Sequence, residues 1–120
     1  MDLFDEVKMT AKPGQSVRGS TTGRPIMVLF DVLVQRWTWG ILWGLRRSRL
    51  TFRELRTQCE NVSPTVLNTR LKALRELGLV DHDEEGYGHT SMGSELAMQL
   101  GALDGWSHKW AKSLETFKAE

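Results

Sequence analysis

The segment SPTVLNTRLKALRELGLV, residues 63–80, carries the start, the buried face and the end of one amphipathic helix. Ser63 can accept a hydrogen bond from a free N–H group of the first turn, and the proline after it suits the first helical position. Leu67, Leu71 and Leu74 follow at intervals of four and three, which puts them on one face. The segment therefore predicts a helix with a polar face opposite its leucines, and a glycine near its end supplies the stop.

A second helix and a hairpin flank this segment. Thr51 and Glu54 have the spacing of a capping box, which predicts a helix over about residues 52–59. Only the residues ENV separate that helix from the next cap. The residues LVDHDEEGYGHT that follow predict two short strands, 79–82 and 87–89, around a turn. Two helices joined by a short turn and followed by a hairpin describe a winged helix-turn-helix.

The rest of the chain predicts further helices around this unit. An apolar helix is expected from Pro25, another over about residues 37–47, and a long last helix after the hairpin. Residues 10–24 are small, polar and rich in glycine, which is typical of a flexible arm, and we assign residues 1–24 to that arm. We therefore expect a mainly α fold with a small β-hairpin wing, in one domain over residues 25–118.

Charge is unevenly distributed along the chain, although the net charge is only +1. Residues 46–75 hold eight arginine and lysine side chains and two glutamates, whereas residues 76–90 hold five acidic side chains and no lysine or arginine. A basic helix-turn-helix predicts binding of double-stranded DNA, since one helix fits the major groove and its polar side chains meet base edges. The residues expected to contact DNA are Arg49, Thr51, Arg53, Arg56, Ser63, Thr65, Asn68, Thr69, Arg70, Lys72 and Arg75.

The acidic wing argues against its insertion into the minor groove, because phosphates repel carboxylates. We assign that contact, where it exists, to the arm through Lys12, Arg18 and Arg24. An alternative, which the acidic wing favours, is that the winged helix has lost DNA binding and holds another protein. RNA or single-strand binding ranks last, since the aromatic side chains fall on apolar helix faces and not on a basic platform.

The sequence resembles the HxlR family of bacterial transcriptional regulators over about residues 25–110. The matching motifs are RWT at residues 36–38, FREL at 52–55, the segment quoted above and YGHTSMG at 87–93. The resemblance implies a winged helix-turn-helix that forms a homodimer through its first and last helices and binds an inverted repeat in DNA. Many members carry a sensing cysteine just before the first helix, whereas this chain has Thr22, Gly23 and Arg24 there. Redox sensing by that route is not expected here.

Five tryptophans are present, and Trp37, Trp43, Trp106 and Trp110 fall on the second and last helices. We interpret them as residues of the core and of the dimer seam. A sharper hypothesis is a pocket between these helices for a small planar aromatic effector. An effector stacked there would change the spacing of the two recognition helices.

Catalysis, cofactors and membranes are not indicated. No P-loop, nucleophile elbow or glycine-rich nucleotide motif occurs, so we predict neither enzyme activity nor a cofactor. His82 and His89 could bind a metal if they faced each other across the hairpin, but the ligand spacing is not distinctive and we predict no metal site. The N-terminus lacks a signal-peptide pattern, the longest apolar run is interrupted by polar residues, and Cys59 is the single cysteine. Together these features predict a cytoplasmic protein without membrane segments.

Overall fold

The computed structural model describes the backbone of residues 23–119 and the side chains of residues 23–116. The elements in chain order are α1 (Pro25–Leu33), α2 (Thr38–Gly44), α3 (Phe52–Gln58), α4 (Pro64–Glu76), β1 (Val80–Asp83), β2 (Gly86–His89) and α5 (Ser91–Ala119). The two strands form one antiparallel sheet. The prediction of a mainly α fold with a hairpin wing is confirmed, whereas the predicted arm, residues 1–24, lies outside the described residues except at its last two positions.

The first two helices meet at a sharp corner. Trp37, which precedes α2, takes a left-handed backbone conformation with φ 79°, and the guanidinium of Arg36 lies 4.7 Å from its ring centroid. Within the described residues no single helix is long and apolar enough to cross a membrane; α1 and α2 pass that test only as a pair, and the pair is bent by 92°. The second helix is shorter than predicted. It ends at Gly44, where the Arg46 N–H donates a hydrogen bond to the Trp43 carbonyl only three residues earlier.

The helix-turn-helix has the predicted caps. Thr51 and Glu54 form a capping box at the start of α3, and Ser63 Oγ accepts a bond from the backbone N–H of Val66 at the start of α4. Between the helices, Glu60 and Asn61 both take left-handed conformations, with φ 56° and 59°. These two residues reverse the chain within a very short turn, so α4 begins close to the end of α3.

The capping box gives the first testable prediction. Thr51→Ala is expected to lower the free energy of unfolding by about 1 kcal/mol, since it removes the acceptor of the Glu54 N–H. The Thr51 N–H bond to the Glu54 carboxylate lowers the pKa of Glu54. A lowered pKa in the folded state means that this carboxylate stabilises the fold above the ordinary glutamate pKa, about 4.3, and loses that effect as the pH falls through its folded value.

Urea unfolding of the wild type and of Glu54→Gln measures this pH dependence. The difference in stability between the two proteins should be present at neutral pH and should shrink in acid. A difference that is equal at both pH values would show that the charged form of Glu54 does not take part in the cap.

Each strand of the wing extends one residue further toward the turn than predicted. The strands pair Val80 with His89, Asp81 with Gly88, His82 with Tyr87 and Asp83 with Gly86. The first strand starts at Val80 because the Leu79 N–H still bonds to the Leu74 carbonyl at the end of α4. The Leu50 N–H donates to the Tyr87 carbonyl, and the Tyr87 N–H donates to the Leu50 carbonyl. The chain before α3 therefore forms an isolated antiparallel bridge with β2.

The core lies where α2, α3, α4 and the first part of α5 meet. Its most completely buried large side chains include Ile41, Leu42, Leu55, Leu67 and Leu71. The last helix contributes Ala97 and Leu100 to this core. Beyond Gly101, every described side chain of α5 as far as residue 116 is exposed or only partly buried, so the second half of α5 has no core of its own within one chain.

Candidate nucleic-acid interface

The outward face of α4 is polar and open to solvent. Leu67, Leu71 and Leu74 are buried, as the helical spacing predicts. Thr65, Asn68, Lys72 and Arg75 are exposed on the other side. Among the described residues, the side chains of Lys72 and Arg75 have no ion pair or hydrogen bond, so both cations are available to an external anion.

Three of the residues predicted to contact DNA, Thr51, Ser63 and Thr69, form hydrogen bonds within the chain. Thr51 Oγ1 and Ser63 Oγ accept backbone N–H groups as helix caps. Thr69, which is half-buried, donates its hydroxyl to the Thr65 carbonyl at 2.9 Å. Their predicted contacts with DNA stay predictions, and the structure gives each of them a local partner as well.

The predicted arginines fall into two groups. Arg53 is exposed on α3 and has no side-chain partner among the described residues. By contrast, Arg56 Nε donates to the Val62 carbonyl at 2.8 Å, and Arg70 Nε donates to the Arg36 carbonyl at 2.9 Å. Partial burial lowers the pKa of Arg70 from its ordinary value, though the group stays protonated. Arg56 therefore holds the turn, and Arg70 ties α4 to the corner between α1 and α2.

Arg49 has the most partners of the predicted residues. Its Nη2 lies 2.6 Å from Asp81 Oδ1, and its Nε lies 3.0 Å from Asp83 Oδ1. The same Nη2 donates to the Gly86 carbonyl at 2.9 Å. The hydrogen bond to Asp81 is the main reason that the pKa of Arg49 is raised. Arg49 thus bonds to the wing, and its predicted contact with DNA stays a prediction.

The bonds of Arg49 to Asp81 and Asp83 were not predicted from the sequence, in which the acidic residues of the wing were interpreted only as a source of negative charge. A usable signal was present in the spacing: carboxylates at 81 and 83 and glycines at 86 and 88 alternate along two paired strands. Such a pattern leaves room on one face of the hairpin for a long cationic side chain.

A groove of about 420 Å³ lies between α4 and the wing. It is lined by Lys72, Arg75, Glu76, Val80, Asp81 and His82. Cations from α4 therefore face a carboxylate of β1 across this groove, and Asp81 both lines the groove and bonds to Arg49.

The four singled-out tryptophans occupy two different environments. Trp37 is half-buried against the core, whereas Trp43 is half-buried with its ring beside Gly101 of α5. Trp106 and Trp110 are 56% and 51% exposed, and their rings stack with centroids 6.1 Å apart. Among the described residues, no other aromatic ring stacks on this second pair, and the predicted effector pocket stays a prediction.

Cys59 was considered as a reactive thiol, and His82 and His89 were considered as metal ligands. Cys59 is buried, and burial raises the pKa of its thiol, which disfavours the nucleophilic thiolate. The idea that His82 faces His89 is wrong, because the register pairs His82 with Tyr87 and a ring N–H of His89 bonds to the Leu42 carbonyl. No group of three or more His, Cys, Asp or Glu residues in the described part of the chain is arranged to hold a metal ion.

Comparison with known proteins agrees with this geometry. The fold is similar to the crystal structure of quinone-bound YodB from B. subtilis, with a TM-score of 0.66 and 24% sequence identity over 70% of this chain and 96% of that chain. At that identity the likeness shows the winged helix-turn-helix fold alone. No curated protein sequence matches the chain. The family model described as HxlR-like helix-turn-helix matches residues 32–115, from α1 into α5, which confirms the resemblance seen in the sequence motifs. The chain therefore belongs to the HxlR-like helix-turn-helix family.

Proposed function

We propose that the protein is a homodimer that binds an inverted-repeat operator in double-stranded DNA through the outward face of α4. Membership of a helix-turn-helix regulator family makes the chain a DNA-binding transcription regulator; the dimer and the operator are the proposal. The observation that carries the proposal is the solvent-open face with Thr65, Asn68, Lys72 and Arg75, set opposite a fully buried leucine face. Such a face can enter a major groove without unpacking the core.

Two exposed apolar stripes support the homodimer. On α1 and its C-cap residue, Ile26, Phe30 and Val34 recur every four residues and are 44%, 50% and 75% exposed. In the second half of α5, four exposed apolar side chains recur at intervals of three and four and form one stripe. That stripe consists of Leu103, Trp106, Trp110 and Leu114. Apolar stripes of this length on a soluble regulator are typical of a protein interface.

The proposed assembly sets a geometric requirement for the operator. A two-fold axis through the apolar stripes relates two copies of α4, and each copy reads one half-site. Successive major grooves on one side of the duplex lie about 34 Å apart, so the half-site centres should be separated by one helical turn. Selection from a random duplex library, followed by footprinting, tests this requirement. A selected site that lacks two-fold symmetry would contradict the homodimeric reading.

Two substitutions on α4 should separate affinity from sequence preference. Lys72→Ala is expected to weaken binding to all duplexes and to reduce the log–log salt slope by about 0.9, as for one lost phosphate contact. Asn68→Ala should instead relax the preference at individual base pairs, since an asparagine amide pairs with adenine through two hydrogen bonds. Fluorescence anisotropy over a salt series and a measured base-preference matrix give the two readouts.

Lys109→Ala, at an exposed position on α5, is the matched control for the loss of a positive charge. It should leave both the salt slope and the base preferences unchanged. An unchanged preference matrix for Asn68→Ala would remove this residue from the reading face.

The small aromatic effector and the location in the cell complete the proposal. The similar structure is of quinone-bound YodB, and a planar ligand suits the exposed Trp106 and Trp110 rings once a second copy encloses them. We place the protein in the cytoplasm, where a bacterial regulator meets its DNA. Titration of tryptophan fluorescence with quinones and related planar aromatic compounds tests the effector.

A protein-interaction module is the second candidate, and the acidic turn residues Glu84 and Glu85 favour it, since both are exposed. A mobility shift with random duplex at low salt discriminates between the two functions. Absence of any shift would favour the protein partner, because non-specific binding to DNA persists in every basic helix-turn-helix at low salt.

A further inference from the structure

One face of the wing has carboxylates on one strand and glycines on the other. Asp81 and Asp83 alternate along β1, so their side chains lie on the same face. Their register partners on β2 are Gly88 and Gly86. The two glycines carry no side chains, so the half of this face that belongs to β2 is open.

The side chain of Arg49 occupies that open half. It crosses Gly88 and reaches Asp81 at 2.6 Å, Asp83 at 3.0 Å and the Gly86 carbonyl at 2.9 Å. A Cβ atom added at Gly88 would overlap the guanidinium of Arg49. The neighbouring Leu50 pairs with Tyr87 through two backbone bonds, which fixes the point from which Arg49 extends. The glycines and the carboxylates therefore form a fitted site for this one side chain.

We propose that Arg49 is a positioning residue of the wing and not a phosphate contact. It balances carboxylate charge on β1 and holds Asp81 away from the cations of the recognition helix. This inference rests on the proposed DNA-binding function. We call Arg49 with Asp81, Asp83 and Gly86 the clasp. In this inference Arg49 acts within the clasp, whereas the sequence alone placed it on DNA.

The groove between α4 and β1 supplies the physical reason. Asp81 lines this groove together with Lys72 and Arg75. Without Arg49, the Asp81 carboxylate loses its partner at 2.6 Å and is free to pair with either cation. The same carboxylate would also repel the phosphates that approach α4. Arg49 therefore keeps Lys72 and Arg75 available to DNA without touching the duplex.

A charge-matched pair of variants tests the clasp. Arg49→Met removes one positive charge, and Arg49→Met with Asp81→Asn restores the local charge of the wild type. We expect Arg49→Met to weaken duplex binding about tenfold and the double variant to return to within about threefold of the wild type, with a salt slope equal to that of the wild type. Arg53→Met is the matched control on α3, and as a phosphate contact it should lower the slope by about 0.9.

The opposite pattern would overturn the proposal. If Arg49 contacts a phosphate, the double variant stays as weak as Arg49→Met and its salt slope falls by about 0.9. Hydrogen exchange of the amides in residues 80–89 provides a readout that needs no DNA. Exchange there should be faster in Arg49→Met and in Gly88→Ala, which displaces the guanidinium, and not in Arg53→Met.

These readouts distinguish the clasp from the proposed function. If the wild type binds no duplex while hairpin exchange accelerates in both variants, the DNA-binding function fails and the clasp stands. If exchange is unchanged in both Arg49→Met and Gly88→Ala, the clasp is wrong whatever the binding data show.

Discussion

The variant Trp106→Glu with Trp110→Glu is expected to be a folded monomer that binds operator DNA at least about 100-fold more weakly than the wild type. Both rings are about half exposed within one chain, so the substitutions remove little from the core. In the proposed dimer the same rings lie in the seam, where paired carboxylates would be buried without partners. Unpaired buried charges cost several kcal/mol each, and two of them in one seam would strongly disfavour the proposed dimer. Loss of the dimer also removes the second half-site contact.

The control places the same charge on the opposite side of α5. His108→Glu with Thr116→Glu adds two carboxylates at exposed positions away from the apolar stripe. This variant should stay dimeric. Sedimentation equilibrium gives the oligomeric state, and anisotropy with the selected operator gives the affinity. A tryptophan variant that remains dimeric at micromolar concentration would rule out the α5 stripe as the seam.

The second large effect concerns one glycine at the start of α5. A Cβ atom at Gly93 would meet the backbone carbonyl of Leu79. That carbonyl accepts the Thr90 N–H, and Thr90 Oγ1 in turn accepts the Gly93 N–H and donates to the Gly78 carbonyl. Backbone atoms cannot rotate away as a side chain can, so Gly93→Ala must separate α5 from the base of the wing. We expect a loss of about 1–3 kcal/mol in the free energy of unfolding.

The same substitution elsewhere on α5 should have the opposite sign. A Cβ atom at Gly105 meets nothing within 4 Å. Gly105→Ala is therefore expected to stabilise the protein by about 0.5–1 kcal/mol through helix propensity alone. Urea unfolding followed by circular dichroism compares the two variants directly. Equal effects at both positions would show that the contact between Gly93 and Leu79 carries no strain.

Local rules were sufficient for the helix-turn-helix. The capping box at Thr51 and the cap at Ser63 depend on residues within three positions of each other, and both are present. The periodicity of the leucines on α4 fixed which side faces outward, so the exposed positions of Asn68, Lys72 and Arg75 could be derived without the fold. These features depend on spacing along one helix, which is why the sequence contains them.

Contacts between distant segments were not derivable in this way. Arg49 and Arg70 bond to partners more than thirty residues away along the chain, which local spacing does not indicate; their predicted contacts with DNA stay predictions. The ends of the strands were also displaced by one residue: β1 starts at Val80 because the Leu79 N–H still bonds to the Leu74 carbonyl, and both strands extend one residue further into the predicted turn. A basic side chain in a helix-turn-helix can bind DNA or bond within the chain, and the packed structure shows the second use for Arg49 and Arg70.

In the proposed homodimer, the exposed second half of α5 makes the regulator sensitive to its own abundance. Most helical stability in proteins comes from tertiary packing, so in the proposed dimer this half is stabilised when another copy covers it. Folding of this half of α5 and dimerisation are then coupled, so the melting temperature should rise with protein concentration. At dilutions where single copies predominate, the amount of paired protein grows with the square of the total. A modest change in synthesis then produces a disproportionate change in occupied promoters.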